Sequence, residues 1–355
     1  MKDTDRIVAL DILRGLALFG MILVHFHQDM ELPATGAEDM VGWGIWMGLE
    51  TKAWATFALL FGAGFAVLMK RMEARGADVV RCYLRRMLAL AVIGAAVQIF
   101  LGFAILLEYA FWGVALLFIR KLPTKALLVL AFAAAIAHPL YYRSTPYSRG
   151  PYWKELKRAQ AEGTYIEAVR ARADNMRWEY SQLRTFIPGS SFVLFIIGLL
   201  AIRHGIFADP RGKLRTILAA MAFGFVSWTF AWFALLKLDK APGFGILSDQ
   251  WLAFTYIGAV LLLVTYRPVW KERLSFFGMT GRMALTNYVI QAAIISWLAF
   301  GYGLGLKIRP YYELPAAALM FGLMVVFSRW WLERHRYGPL EKVWRSFTYL
   351  SVQPG

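Results

Sequence analysis

Runs of 16 or more apolar residues with almost no charge recur along this chain. They lie near 7–26, 53–69, 87–102, 104–119, 124–141, 186–202, 215–236, 250–266, 284–301 and 315–332. A helix needs roughly 20 apolar residues to cross a hydrocarbon core about 30 Å thick. Within that core each segment has to satisfy its own backbone N–H and C=O groups, so the runs read as transmembrane helices. The expected fold class is therefore all-α: a polytopic integral membrane protein of about ten transmembrane helices forming a single domain over 1–355. Only 17% of the residues are charged and 59% are hydrophobic, with a mean hydropathy of +0.50. A soluble domain carries about 25% charged residues, which excludes a water-soluble enzyme and a disordered chain. Cys82 is the sole cysteine, which excludes a disulfide scaffold.

Residues 87–119 form one nearly unbroken apolar stretch of 33. As a single helix it would be about 50 Å long, too long for one pass, so a break is expected at Gly102 with Glu108 close to the junction. The first apolar run carries Asp11 and Arg14 and lacks a small-residue cleavage site, so it is expected to stay in the mature protein. An even number of passes puts both termini on one side. Loops on that side hold 24 Lys+Arg against 14 on the other, and nine of the 14 sit in the long segment 142–185. Positive-inside loops then place both ends in the cytoplasm. By the same argument the formal charge of +16 is a topology signal and not a nucleic-acid footprint.

The segment 142–185 mixes aromatic and aliphatic residues with alternating charge and is expected to form one or two helices broken near Gly163. Its first reading is an interfacial helix lying on the membrane; the second is a cap over an external substrate opening. After Gly338-Pro339, an amphipathic cytoplasmic helix is expected over 338–350.

An ionisable side chain inside a span costs at least about 2.5–3.5 kcal/mol and so asks for a partner or a role. Asp11 and Arg14 are three residues apart and neighbours on one helical face, where they can neutralise each other. His25 follows about 16 Å further along, at the external end, with His27 just beyond. Arg81 and Arg85 form an i,i+4 pair with Arg86 alongside, a fork suited either to phosphate groups or to lipid headgroups. Asn287 and Gln291 project from one face of an apolar span, with Tyr288 between them; helix–helix hydrogen bonding explains such amides as well as ligand contact does. The five histidines are too scattered to suggest a metal set, and neither a Walker loop nor a dinucleotide glycine motif is present. The 14 tryptophans and 26 phenylalanines suit a lipid-facing surface or a homodimer contact equally.

Four stretches carry a resemblance. The opening Arg6-Ile-Val-Ala-Leu-Asp11-Ile-Leu-Arg14-Gly15-Leu-Ala-Leu-Phe-Gly20, the run Ala58-Leu-Leu-Phe61-Gly62-Ala-Gly64-Phe, Gly281-Arg282-Met-Ala-Leu-Thr286-Asn287-Tyr288, and Tyr337-Gly338-Pro339-Leu-Glu341 together resemble the bacterial YeiB-like membrane family. That family looks related to the transmembrane acyltransferases, which include glycan O-acyltransferases and heparan-glucosaminide acetyltransferases. In the O-acyltransferases an arginine and a histidine stand in the first helix with ten residues between them, the spacing of Arg14 and His25. The resemblance implies acyl-CoA, most simply acetyl-CoA, as cytosolic co-substrate, with no metal. It also implies an extracytoplasmic acceptor (glycan, lipid or small molecule) and membrane lipids as surroundings. It implies His25 as general base and Arg14 lining the donor path or holding Asp11. Arg81, Arg85 and Arg86 would be the phosphate cradle, and Asn287, Tyr288 or Gln291 donors to the developing oxyanion. The family often has asparagine where His25 stands and Gly-Asp-Ile-Leu where this chain has Gly102-Phe103-Ala104-Ile105. Glu108 is then the replacement for the missing acid or the group that orients His25. The competing reading is a transporter or lipid-handling protein, whose embedded polar residues line a path instead of a reaction site.

Overall fold

The computed structural model describes residues 7–32, 36–76, 78–144, 150–187, 189–238 and 242–348. Among these the chain is helical, and the only β-type pairing is an isolated bridge between Glu31 and Ile308. The helices are α1 (Val8–Met30), α2 (Ala37–Leu49), α3 (Lys52–Glu73), α4 (Val79–Leu101), α5 (Ile105–Ile119), α6 (Thr124–Ser144), α7 (Trp153–Ala161) and α8 (Tyr165–Ser181). They continue with α9 (Ser190–Arg203), α10 (Leu214–Leu238), α11 (Pro242–Tyr266), α12 (Pro268–Arg273), α13 (Ser275–Arg282), α14 (Ala284–Ala299), α15 (Pro310–Arg334) and α16 (Pro339–Thr348).

Each of the ten expected apolar runs carries a helix. Five described segments are long and apolar enough to cross a membrane: Val8–Met30, Met40–Glu73, Val79–Leu101, Leu214–Phe233 and Pro310–Arg334. The other five runs rest on shorter apolar stretches of 10–17 residues: Ile105–Ile119, Thr124–Ala137, Ser190–Arg203, Gln250–Tyr266 and Ala284–Ala299. Side chains such as Phe230, Leu319, Leu323 and Val326 stand more than 60% exposed on α10 and α15. An outward face this apolar is stable against lipid and costly against water.

The 33-residue stretch breaks where expected. α4 ends at Leu101, Gly102 takes φ +92°, and α5 starts at Ile105. Only glycine adopts that left-handed cap without steric cost. A second use of glycine is close approach. α1 crosses α13 so tightly that a Cβ on Gly15 would strike the Phe277 backbone and one on Gly281 the Asp11 backbone. Gly62 and Gly198 do the same between α3 and α9. These contacts make α1, whose sequence is mostly buried, the central post of the bundle.

Polar clasps hold the peripheral pieces. Glu341 of α16 accepts hydrogen bonds from the Leu285 and Thr286 amides and from the Thr286 hydroxyl, capping α14. Trp344 donates from its indole to the Arg86 carbonyl, and the Arg86 guanidinium lies 3.4 Å over the Trp344 ring. The expected C-terminal amphipathic helix is thus docked on the bundle as α16. Within 142–185 the described residues form α7 and α8, broken at Gly163 as expected. A Thr164–Glu167 capping box starts α8, and the hydrogen bond from the Thr164 amide holds the Glu167 carboxyl below the usual carboxylate range. Arg172, buried on α8, donates to the Phe100 carbonyl and to the Tyr302 hydroxyl. That pin sets α8 against the end of α4, where it walls a cavity. The buried Arg172 thus ties α8 to the bundle whether its outer face meets lipid headgroups or water.

Candidate functional site

The bundle holds two cavities at opposite ends of α1. The first, about 450 Å³, lies among the N-terminal end of α1, the C-terminal end of α3, the start of α4 and α14, and the clasped α16. Among the described residues seven arginines line it (Arg14, Arg71, Arg75, Arg86, Arg282, Arg336 and Arg345) against two carboxylates, Asp11 and Glu341. The surplus of guanidinium groups suits a ligand with several phosphates, which arginine binds through paired N–H donors. Both carboxylates already have partners: Glu341 caps α14, and Asp11 lies 3.1 Å from the Arg14 guanidinium. Gly64 makes room for Arg14, since a Cβ there would lie 3.0 Å from its Nη2.

The second cavity, about 700 Å³, lies at the other end, beneath α8, and is lined by His25, Glu108, Ser191, Thr51, Gln28 and four tryptophans (Trp54, Trp112, Trp153 and Trp178). Its carboxylates are Glu50, Glu108 and Glu179, and its described lining contains no lysine or arginine. His25 reaches it from the last turns of α1, with its ring packed edge-on against Phe103 at 4.5 Å and its Nδ1 3.7 Å from Asp29 one helical turn on. Glu108, in the first turn of α5, accepts a hydrogen bond from the Ser191 hydroxyl.

Tyr288 of α14 belongs to the lining of both cavities. It is fully buried, and its hydroxyl oxygen faces the backbone N–H of Ile105, the first residue of α5. The arginine cavity and the histidine cavity therefore meet at one side chain, beside a helix N-terminus whose first amides lack intrahelical partners.

The structure sorts the residues singled out by sequence. Arg14, Arg86 and Tyr288 line the arginine cavity, and His25, Glu108 and Tyr288 line the histidine cavity. Arg81 and Arg85 are in the described lining of neither. Arg81 is exposed in the first turn of α4, with its guanidinium 3.7 Å from Asp78, the residue that caps the helix. Asn287 is buried and donates to the Thr280 carbonyl and the Ser328 hydroxyl, which makes it a bond between helices. Gln291 is buried outside both cavities. Arg71, Arg75, Arg282, Arg336 and Arg345 were missed as a group because five separate segments contribute the cavity's arginines. Ser191 and Thr51 were missed because a lone hydroxyl carries no pattern. Thr51 has φ +64°, the one described non-glycine residue with positive φ, and its hydroxyl has no hydrogen-bond partner among the described residues.

Two family models match different parts of the chain. Residues 6–159, which supply Arg14, His25, Arg86 and Glu108, match the family described as heparan-alpha-glucosaminide N-acetyltransferase, catalytic. Residues 201–351, which supply Tyr288 and Glu341, match a family described as protein of unknown function, DUF418. The uncharacterized protein YxaH of Bacillus subtilis is 31% identical over 99% of this chain and 96% of its own length. The uncharacterized protein YeiB of Escherichia coli is 25% identical over 99% of this chain and 98% of its own. This chain belongs to the YeiB-like membrane family. At the coarse level, the YeiB-like chain is acyltransferase-like in its first half, and the cavities are built jointly from that half and from the family-specific second half.

Proposed function

We propose that this YeiB-like protein is an acyl-CoA-dependent transmembrane acyltransferase. In this reading it has ten passes with both termini in the cytoplasm of the bacterial inner membrane, so that the arginine cavity faces the cytosol and the histidine cavity faces outward. Acyl-CoA, most simply acetyl-CoA, docks with its phosphates among Arg71, Arg75, Arg86 and their neighbours. The narrow pantetheine arm passes Tyr288 and presents the thioester to the histidine cavity. There His25 removes the proton from a hydroxyl or amine of the acceptor as that atom attacks the thioester carbonyl. The new C–O or C–N bond forms a tetrahedral oxyanion; its collapse breaks the C–S bond, and the proton held by His25 passes to the sulfur, releasing CoA and the acylated acceptor. General-base assistance of this kind is worth about 10²–10⁴-fold.

The oxyanion needs donors placed where charge develops. Tyr288 and the Thr51 hydroxyl are the candidates that line the histidine cavity, since the one proton of Ser191 is given to Glu108, and they displace Asn287 and Gln291, which lie outside it. Glu108, which lines the same cavity as His25, positions the imidazole or the acceptor through the cavity. The tryptophan and tyrosine faces and the carboxylates suit an acceptor rich in hydroxyl or amino groups, such as a glycan or a lipid headgroup.

One observation carries this reading: an arginine-lined cavity and a histidine-containing cavity open at opposite ends of the bundle and share Tyr288. The test uses detergent-purified protein. CoA is expected to raise its melting temperature, and labelled acetyl-CoA is expected to transfer label to envelope glycan or lipid fractions. His25→Ala is expected to abolish transfer while the protection by CoA persists. Transfer retained by His25→Ala would remove His25 from the mechanism. No stabilisation by CoA or acyl-CoA would favour the transporter reading.

A further inference from the structure

His27 lies two residues beyond His25, hence on a different face of α1, and does not share its cavity. It meets Glu31, one turn on, and Glu313 in the first turn of α15. Glu313 is wholly buried, and both of its carboxylate oxygens face the His27 Nδ1, at 3.2 and 3.3 Å. A Glu31 oxygen lies 3.6 Å from the same nitrogen, and all three donor atoms fall within 4.8 Å of one another.

These separations are informative. An ion-paired N⁺–H···O⁻ contact is short, about 2.7–2.9 Å. Zinc binds imidazole nitrogen and carboxylate oxygen at about 2.0–2.2 Å, so two ligand atoms on a tetrahedron stand about 3.4 Å apart. The His27–Glu313 and His27–Glu31 distances bracket the second value and exceed the first. The charges allow for a cation: two carboxylates, one of them fully buried, face a single imidazole, which as a neutral metal ligand would leave them to be balanced by a divalent ion. Space is kept on the remaining side by Gly42 of α2, where a Cβ would lie 2.9 Å from the His27 ring and 3.1 Å from Glu31 Oε1.

We propose that His27, Glu31 and Glu313 form a binding site for a divalent transition-metal ion of the zinc class, with one coordination position left open. The ion would join the external end of α1 to the start of α15, where the backbone already pairs through Ile308 N–H to Met30 C=O and Leu32 N–H to Ile308 C=O. Its role is to fix the turn of α1 that presents His25 to the other side. This inference is independent of the acyltransferase reading, since it needs no catalytic step.

The test is metal stoichiometry on full-length protein carrying no histidine tag. Protein is stripped with a chelator, reloaded with Zn²⁺, freed of excess metal by gel filtration and measured by elemental mass spectrometry. One zinc per chain and a raised melting temperature are expected. His27→Gln, Glu31→Gln and Glu313→Gln are each expected to weaken zinc binding at least about tenfold, whereas His25→Ala is expected to retain it. Glu31 is partly exposed, so Glu31→Gln keeps the test decisive should the variant at the buried Glu313 not fold. Failure of the wild-type chain to retain zinc overturns the proposal, as does a His27→Gln variant that binds it with wild-type affinity. Either result would leave the three side chains as an imidazolium held by two carboxylates.

Discussion

Glu341→Ala is the sharpest test of how α16 closes the arginine cavity. The Glu341 carboxylate accepts from the Leu285 amide at 2.8 Å, the Thr286 amide at 3.0 Å and the Thr286 hydroxyl, and Thr286 in turn accepts from the Leu340 amide at 3.1 Å. A hydrogen bond to a charged group is worth about 1.5–3 kcal/mol, and loss of a helix cap costs about 0.5–2 kcal/mol. The three bonds share one half-buried carboxylate and are not additive, so a local loss of roughly 2–4 kcal/mol is expected. At about 1.36 kcal/mol per decade, the opening equilibrium at the start of α14 rises roughly 30- to 900-fold. Hydrogen exchange reads this directly: peptides containing the Leu285 and Thr286 amides should lose that much protection, while a peptide from α9 should not change. Glu341→Gln keeps one acceptor oxygen and should fall between. Protection unchanged within threefold in Glu341→Ala would refute the clasp and, with it, the view that α16 is a fixed wall of the cavity.

Two further perturbations separate neighbouring residues. Arg86→Ala should weaken CoA binding at least about tenfold, with a reduced dependence on salt, because it removes both a phosphate donor and the cation–π contact with Trp344. Arg81→Ala, exposed beside Asp78, should leave the dissociation constant measured by calorimetry unchanged; equal effects of the two would return the cradle to the α4 face. Thr51→Gly should raise thermal stability by up to about 1 kcal/mol, since a β-branched residue at positive φ is strained. A lower melting temperature in that variant would contradict the strain argument, and an unchanged transfer rate would remove the Thr51 hydroxyl from the candidate oxyanion donors.

How much of this was readable beforehand depends on the range over which each signal acts. The break at Gly102 and the break at Gly163 follow from local geometry and bilayer thickness, and they stand where the residue pattern puts them. The arginine fork of α4 divides for a physical reason: Arg86 lines the cavity, and Arg81 and Arg85 are outside its described lining. An i,i+4 spacing places Arg81 and Arg85 on one face, but only burial decides which face turns inward, and Arg86 occupies it. Asn287 illustrates the same point in reverse, because a buried amide on an apolar helix is satisfied by whichever neighbour the packing brings, here Thr280 and Ser328. His27 and Glu313 stand 286 residues apart, and no spacing rule reaches that far.

The helix break does more than divide an overlong segment. A continuous helix through 87–119 would pair its amides internally and offer no donors near the middle of the bundle. Ending α4 at Gly102 and restarting at Ile105 frees the first amides of α5, turns one of them toward Tyr288, and sets Glu108 one turn further along, opposite Ser191. Tyr288 is held at that spot from the other side by α14, whose start depends on Glu341 and hence on the clasped C-terminal helix. The junction between the two cavities is thus the place where a constraint of bilayer thickness in the first half of the chain meets a cap supplied by the last helix. Residues 6–159 supply Ile105 and Glu108 and residues 201–351 supply Tyr288 and Glu341, so neither matched part alone contains both sides of the junction.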